Sequence, residues 1–350
     1  MLEIFVSKQE ADYHTLQEAV DAVPYETEAV IHVAAGIYEE KVFCEKKNIT
    51  IEGDNADNTV LSFGDGAFDI HPDGTKRGTF RTATLFISGE KTTLRNLTIR
   101  NTAGDGRVAG QALALYADSS LVFAENVVLD AHQDTLFCAP LPVSERQKNG
   151  FLGPRMLTER KKTSQYYKNC QIIGDVDFIF GGANAVFENC DIVCRDREHA
   201  VLEIDEPEGD KDQIGKTTDY VNGYITAPCG LRDAIGFVFV DCFIHGENGC
   251  GKNTVFLGRP WREEAKATFI NCRYDDTISP YRFSGWGGVT RDEPDTFFAE
   301  YGGRLVDSIG EKDVAQVDMS GKNPWVKVLT SNQADDILKD AAEIKNAVTK

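Results

Sequence analysis

Apolar and polar positions along the chain repeat as one unit: an aromatic or aliphatic residue, any residue, Asn or Asp, a small apolar residue, any residue, an aliphatic residue. It reads "LRNLTI" (94–99), "FAENVVL" (123–129), "YKNCQI" (167–172), "FENCDI" (187–192), "FVDCFI" (239–244) and, more loosely, "FINCRY" (269–274). The Asn or Asp positions fall at 96, 126, 169, 189, 241 and 271, and the shortest step, 169 to 189, matches one turn of a parallel β-helix. Longer steps then contain insertions, and "APLPVSERQKNGFLGPRMLTERK" (139–161) and the charged stretch 195–223 are the candidate rim loops.

The ends of such a stack need covering, because open strand edges invite association. "HTLQEAVDAVP" (14–24) places Leu16, Ala19, Val20 and Val23 at helical spacing and stops at Pro24, which predicts an N-terminal cap helix. A C-terminal helix is expected over 332–348, with Ile337, Ala341, Ile344 and Val348 on one face. The expected fold is all-β: one right-handed parallel β-helix (solenoid) spanning 1–350 as a single domain.

Composition narrows the function classes. At 41% hydrophobic and 27% charged, the 350 residues are those of an ordinary globular protein, and no apolar run approaches a membrane span. A net charge of −19 argues against nucleic acid or anionic lipid as a partner. The N-terminus shows no basic segment followed by an apolar one, so a cytoplasmic location is expected, the alternative being secretion with a leader removed. Nine cysteines is an odd number, and Cys170, Cys190, Cys242 and Cys272 each follow Asn or Asp, which fits a ladder of small buried side chains better than a disulfide framework.

The six histidines show no close ligand pairs, and Cys190 with Cys194 lacks matching partners for zinc. There is no G-x-S-x-G elbow and no phosphate-binding loop, so neither a metal nor another cofactor is called for. His132 reads best as a structural histidine.

Carboxylates remain. "GDVDFIFGGANAVFENC" (174–190) sets Asp175 and Asp177 beside a run that ought to be buried, where an unpaired carboxylate is costly. Asp177 lies eight residues after Asn169, and Asp134 eight residues after Asn126 (177 − 169 = 134 − 126 = 8), so both occupy one position on the coil. Neighbouring coils stack about 4.8 Å apart. Two carboxyl groups in such register do not ionise together easily, and one can serve as acid while the other serves as nucleophile or base. Asp at a fixed turn position also simply caps turns, and repeat phase alone leaves both readings open.

"GIYEE" (36–40), "GTFRTATL" (78–85), "GQALAL" (110–115), "HQDTLF" (132–137), "GDVDFIFGGANAVFENC" and "LGRPW" (257–261) together resemble the pectin methylesterases, carbohydrate esterases that demethylate polygalacturonate. The resemblance runs from about Ala19 to about Tyr301. Phe137 stands where that family usually has Tyr, the stretch after Ile225 and Thr226 is unusual, and 195–223 looks longer than typical; none of these departures touches the matched catalytic positions.

The resemblance implies Asp177 as nucleophile on a C6 methyl ester, Asp134 as general acid and then base, and Gln111 and Gln133 as oxyanion donors. Arg259 would hold Asp177 ionised and oriented. Trp261 and Trp286 are candidates for stacking on sugar rings, with core packing as the competing account for each. Phe178 and Phe180 alternate around Ile179, so one parity should face the core and the other a cleft; Phe178 is carried as a candidate substrate contact. The implied partner is methylated galacturonan or a methylated oligogalacturonide, and short methylated oligomers are expected to be preferred because an acidic rim repels long demethylated chains. A pectate lyase or polygalacturonase on the same solenoid, a non-catalytic carbohydrate-binding β-helix, and an esterase of another ester are the rivals.

Overall fold

A computed structural model describes residues 1–199, 220–286, 295–307, 310 and 312–350. Residues 200–219, most of the insertion expected at 195–223, lie outside the described residues. The fold is an all-β parallel β-helix with three faces. Along the first face the chain stacks Val42–Cys44, the starts of Leu85–Arg95 and Leu115–Glu125, then Leu136–Cys138, Val176–Gly181, Gly223–Pro228 and Val255–Gly258. The second face begins at Leu2–Val6 and Ala29–Val33. It takes in the second halves of the same two long strands, continues through Ser164–Lys168, Asn184–Glu188, Phe237–Val240 and Lys266–Ile270, and ends at Phe297–Tyr301 and Lys327–Val328. Strands from Gly36–Glu39 to Arg304–Val306 form the third face, whose last pairing, with Asp313–Gln316, is antiparallel.

The repeated Asn or Asp forms the corner between the second and third faces. Asn96, Asn126, Asn169, Asn189, Asp241 and Asn271 all have φ between 53° and 56°, the left-handed region that Asn and Asp enter most readily after Gly. Their side chains stack in part: Asn126 donates to Asn96 (3.2 Å), and Asn189 to Asn169 (2.8 Å). Just inside this corner run the cysteines. All nine thiols are free, and Cys170, Cys190 and Cys242 donate to carbonyl oxygens of the preceding coil, those of Ala124, Tyr167 and Phe187. One residue type per rung also builds the core: the rings of Tyr167, Phe187, Phe239 and Phe269 stack at 4.9, 4.5 and 4.4 Å.

Among the described residues three α-helices accompany the solenoid: α1 (Leu16–Ala22), a single turn α2 (Gly106–Ala109) and α3 (Ser331–Thr349). The side chain of Thr15 caps α1, whose Leu16, Ala19 and Val20 close the N-terminal end of the core. α3 starts in a reciprocal capping box between Thr330 and Gln333. It lies along the second face rather than over the end of the stack, burying Ala341, Ile344 and Val348 against Phe123, Tyr166, Val186, Val238 and Ile270. The apolar stripe read from the sequence is thus matched to a sheet surface, whose outward residues are equally apolar.

Candidate active site

On adjacent coils, the turns from the third face into the first present Asp134 and Asp177. Leu136 pairs with Ile179, so the two aspartates stand at equivalent positions one coil apart, both in left-handed backbone (φ 66° and 51°). The turns are fastened to each other: Asp134 N–H donates to Val176 O (3.0 Å), Asp175 N–H to His132 O (3.1 Å), and Thr135 Oγ1 to Ile173 O (2.8 Å).

The two aspartates of "GDVD" divide the labour. Asp175 is fully buried; one carboxylate oxygen accepts from Val176 N–H (2.7 Å) and the other pairs with His132 Nδ1 (3.1 Å). It is a brace. Asp177 instead faces a cleft of about 430 Å³ lined also by Gln111, Gln133, Asp134, Phe180 and Arg259.

Arg259 holds Asp177 in a two-pronged grip, Nε to Oδ1 and Nη2 to Oδ2, each 2.9 Å, with both side chains less than a tenth exposed. The guanidinium plane lies between Tyr224 (4.1 Å to the ring centre) and Trp286 (4.5 Å), which fixes its orientation. A carboxylate so held is fixed in orientation and partly stripped of water.

Gln133 precedes Asp134 in the same turn, and Gln111 enters from the segment after α2; both amides line the cleft. Gln133 packs directly on Gly106, where a Cβ would come within 2.5 Å of Gln133 Oε1. The opposite wall comes from the connection between Leu136–Cys138 and Ser164–Lys168, which supplies Arg146, Gln147, Gly150 and Phe151. An Arg155–Asp118 ion pair and Arg160, which donates to the Arg155, Met156 and Pro142 carbonyls, pin this connection down.

Asp134, Asp177, Gln111, Gln133, Arg259, Trp261 and Trp286 therefore converge on one cleft. Phe178 does not. It is fully buried in the solenoid core, whereas Phe180 forms cleft floor with Phe80 and Trp261. Strand alternation fails here because register with the next coil shifts between Val176 and Ile179: Val176 pairs with Tyr224 and Ile179 with Thr226, so two residues oppose one. The left-handed turn at Asp177 sits in that bulge and sends Phe178 inward.

Trp286 packs on Arg259 rather than presenting a bare platform, and Trp261 is edged by Phe151 and Phe180 and covered by Arg262 (4.8 Å). Sequence reasoning missed Tyr224, Gly106, Phe80, Phe151 and the rim arginines Arg146 and Arg262. The 139–161 insertion was the available signal for Phe151 and Arg146; nothing local distinguishes Tyr224. The structure also brings Asp105, His132 and Asp175 within 4.8 Å of one another, a grouping hidden from histidine spacing. Arg107 grips Asp105 with two bonds (2.9 and 2.7 Å), and although burial works to raise the Asp105 pKa, that grip leaves it below the ordinary value. The group is a hydrogen-bonded support behind Gln133 and Asp134.

The profile of the family described as Pectinesterase matches residues 3–147 and 158–327. The chain is 35% identical over 296 residues to the probable pectinesterase/pectinesterase inhibitor 64 of Arabidopsis thaliana, covering 80% of this chain and 42% of that protein. It thus spans less than half the length of that relative. Its fold matches pectin methylesterase PemA from Erwinia chrysanthemi at TM-score 0.71, with 22% identity over 96% of this chain and 95% of that one. A pectin methylesterase in complex with hexasaccharide VII matches at 0.71 with 23% identity over the same shares.

Proposed function

The chain belongs to the pectinesterase family, and from that premise we propose that it is a carboxylic ester hydrolase acting on C6 methyl esters of galacturonate units, in pectin or its oligomers, with release of methanol. One observation carries this reading: the Asp177 carboxylate, gripped by Arg259, opens into the same cleft as Asp134 and two glutamine amides.

Asp177 attacks the ester carbonyl carbon, and the carbonyl oxygen becomes an oxyanion that accepts hydrogen bonds from the Gln111 and Gln133 amides. A preorganised donor of this kind contributes about 10²–10³ in rate. Asp134, protonated at the start, donates to the methoxy oxygen as the C–O bond breaks, and methanol departs. That leaves an acyl-enzyme anhydride on Asp177. Asp134, now a carboxylate, takes a proton from water as the water attacks the acyl carbon; the product acid leaves and both aspartates return to their starting states. A carboxylate is a weak nucleophile toward an ester, so fixed orientation by Arg259 is an essential part of the scheme.

A pectin methylesterase of the same fold, solved in complex with a hexasaccharide, supports an oligosaccharide as the ligand. Methanol release without chain shortening is the test, run alongside Asp177→Asn and Asp134→Asn. Each substitution should abolish turnover; Asp134→Asn should leave the melting temperature within a few degrees, whereas Asp177→Asn, which strands the buried Arg259 charge, should also lower it. Chain cleavage in place of methanol release would instead favour a lyase or glycosidase, and unchanged turnover in both variants would reject the mechanism.

A further inference from the structure

A hydrogen-bond donor stabilises an oxyanion only if it stands in place before the charge develops. Gln133 is poorly equipped to do so alone, because its side chain has many rotamers and, among the described residues, its amide makes no hydrogen bond within the protein. Packing holds it instead: Gly106 of α2 approaches so closely that a Cβ there would meet Gln133 Cβ at 2.7 Å and Oε1 at 2.5 Å. The place of Gln133 therefore depends on what fixes α2 and the 131–134 turn.

Both are fixed from one source. A single helical turn has little stability of its own, and α2 is held by Asp105, which accepts from Arg107 N–H (2.8 Å) and from the Arg107 guanidinium. Arg107 Nη2 also donates to Arg197 O (2.8 Å), 90 residues further along the chain. On the other flank Arg195 Nε donates to Ala131 O (2.7 Å), just before His132 and Gln133, while its two Nη atoms are held by Glu247 and Asp130. Arg195 and Arg197 begin the connection expected as a rim loop at 195–223. Asn222, fully buried, joins them to its end: Oδ1 accepts from Arg197 N–H (2.8 Å), and Nδ2 donates to Arg195 O (2.7 Å). The neck of this connection thus grips the Gln133 turn from both sides.

We propose that Arg107 and Arg195 are positioning residues for Gln133, through which the neck of the 195–223 connection sets the oxyanion donor in place. This rests on the esterase reading and deepens it: a segment otherwise read as surface decoration acquires a part in turnover. Neither arginine lines the cleft, so each acts through Gln133 and not on the substrate. The effect belongs to kcat, because the oxyanion exists in the transition state and not in the bound ester.

The experiment is a double-mutant cycle read by steady-state methanol release, with Arg107→Gln and Arg195→Gln each made in the native protein and in Gln133→Ala. Gln133→Ala should lower kcat by about 10²–10³-fold. In the native protein each arginine variant should lower kcat by about 10-fold, with KM within about twofold, since a slightly displaced donor keeps part of its effect. In Gln133→Ala the same substitutions should change kcat by less than about twofold, because the group they position is gone. Arg107→Lys, which keeps the charge and can reach one acceptor, should restore part of the loss. A merely stabilising role would lower kcat by the same factor in both backgrounds, or leave it unchanged while the melting temperature falls. Either result overturns the proposal, as does an unaltered kcat in Gln133→Ala. The two arginines make separate bonds, so where one variant folds poorly the cycle at the other decides. No methanol from the native protein overturns the esterase reading, and the positioning with it.

Discussion

Removing the guanidinium that grips Asp177 is the sharpest test of how this cleft works. Arg259 and Asp177 share two bonds of 2.9 Å with both side chains nearly sealed from water. Breaking a buried pair by deleting one partner costs about 3–5 kcal/mol, because the remaining charge has no compensation. Arg259→Ala should therefore lower unfolding free energy by about that amount in the native background, and by only about 1–2 kcal/mol in the Asp177→Asn background, where no carboxylate is stranded. The difference is a coupling energy of about 2–3 kcal/mol, measurable in a double-mutant cycle by urea denaturation.

Activity should follow the same bonds. Two charge-assisted bonds at about 1.5–3 kcal/mol each place the loss in kcat/KM for Arg259→Ala at about 10²–10⁴-fold. Arg259→Lys keeps the charge but not the fork, nor the flat face between Tyr224 and Trp286, and should lose about 10–10²-fold. Equal destabilisation in the two backgrounds, within about 0.5 kcal/mol, or wild-type methanol release by Arg259→Ala, would refute the claim that this pair both stabilises and orients the carboxylate.

Gly106→Ala should strike catalysis without unfolding the protein, since its added methyl meets Gln133 Oε1 at 2.5 Å and displaces the amide; steady-state assays should show kcat down by about 10–10²-fold with little change in the melting temperature, and an unaltered kcat would separate Gln133 from the oxyanion. Asp118 has its pKa raised to about 6, because burial outweighs the attraction of Arg155. A carboxyl whose folded pKa exceeds its unfolded value of 3.8 favours the folded state fully below that unfolded value and loses the contribution as pH rises toward about 6. The stability difference between the native protein and Asp118→Asn should therefore shift by roughly 1–3 kcal/mol in disfavour of the native protein from pH 4 to pH 7; a difference independent of pH across that window would show that Asp118 does not titrate there.

Much of the architecture was legible because each coil uses the same corner. A left-handed residue followed by a small buried one is a requirement of a few adjacent positions, so Asn96, Asn169 or Cys190 announces its place without reference to the rest of the chain. Repeat phase likewise put Asp134 and Asp177 on one coil position, and the register of Leu136 with Ile179 agrees. Phe178 was misplaced for a reason of the same scale but opposite sign: a bulge between Val176 and Ile179 interrupts alternation there, and no local pattern marks it.

The rest depended on what stacking brings together. Arg259 lies 82 residues beyond Asp177 and meets it only because intervening coils close on one another at fixed spacing. Tyr224 and Trp286 become the two faces around that guanidinium by the same route, and the connection over 139–163 becomes a cleft wall only when Arg155 finds Asp118. The chain's own letters determined the corners, the rungs and the phase of the aspartates, since backbone preference is settled by near neighbours. Which side chains share a charge, which face water and which disappear into the core were decided by the folded stack, because contacts and burial belong to residues brought together across coils.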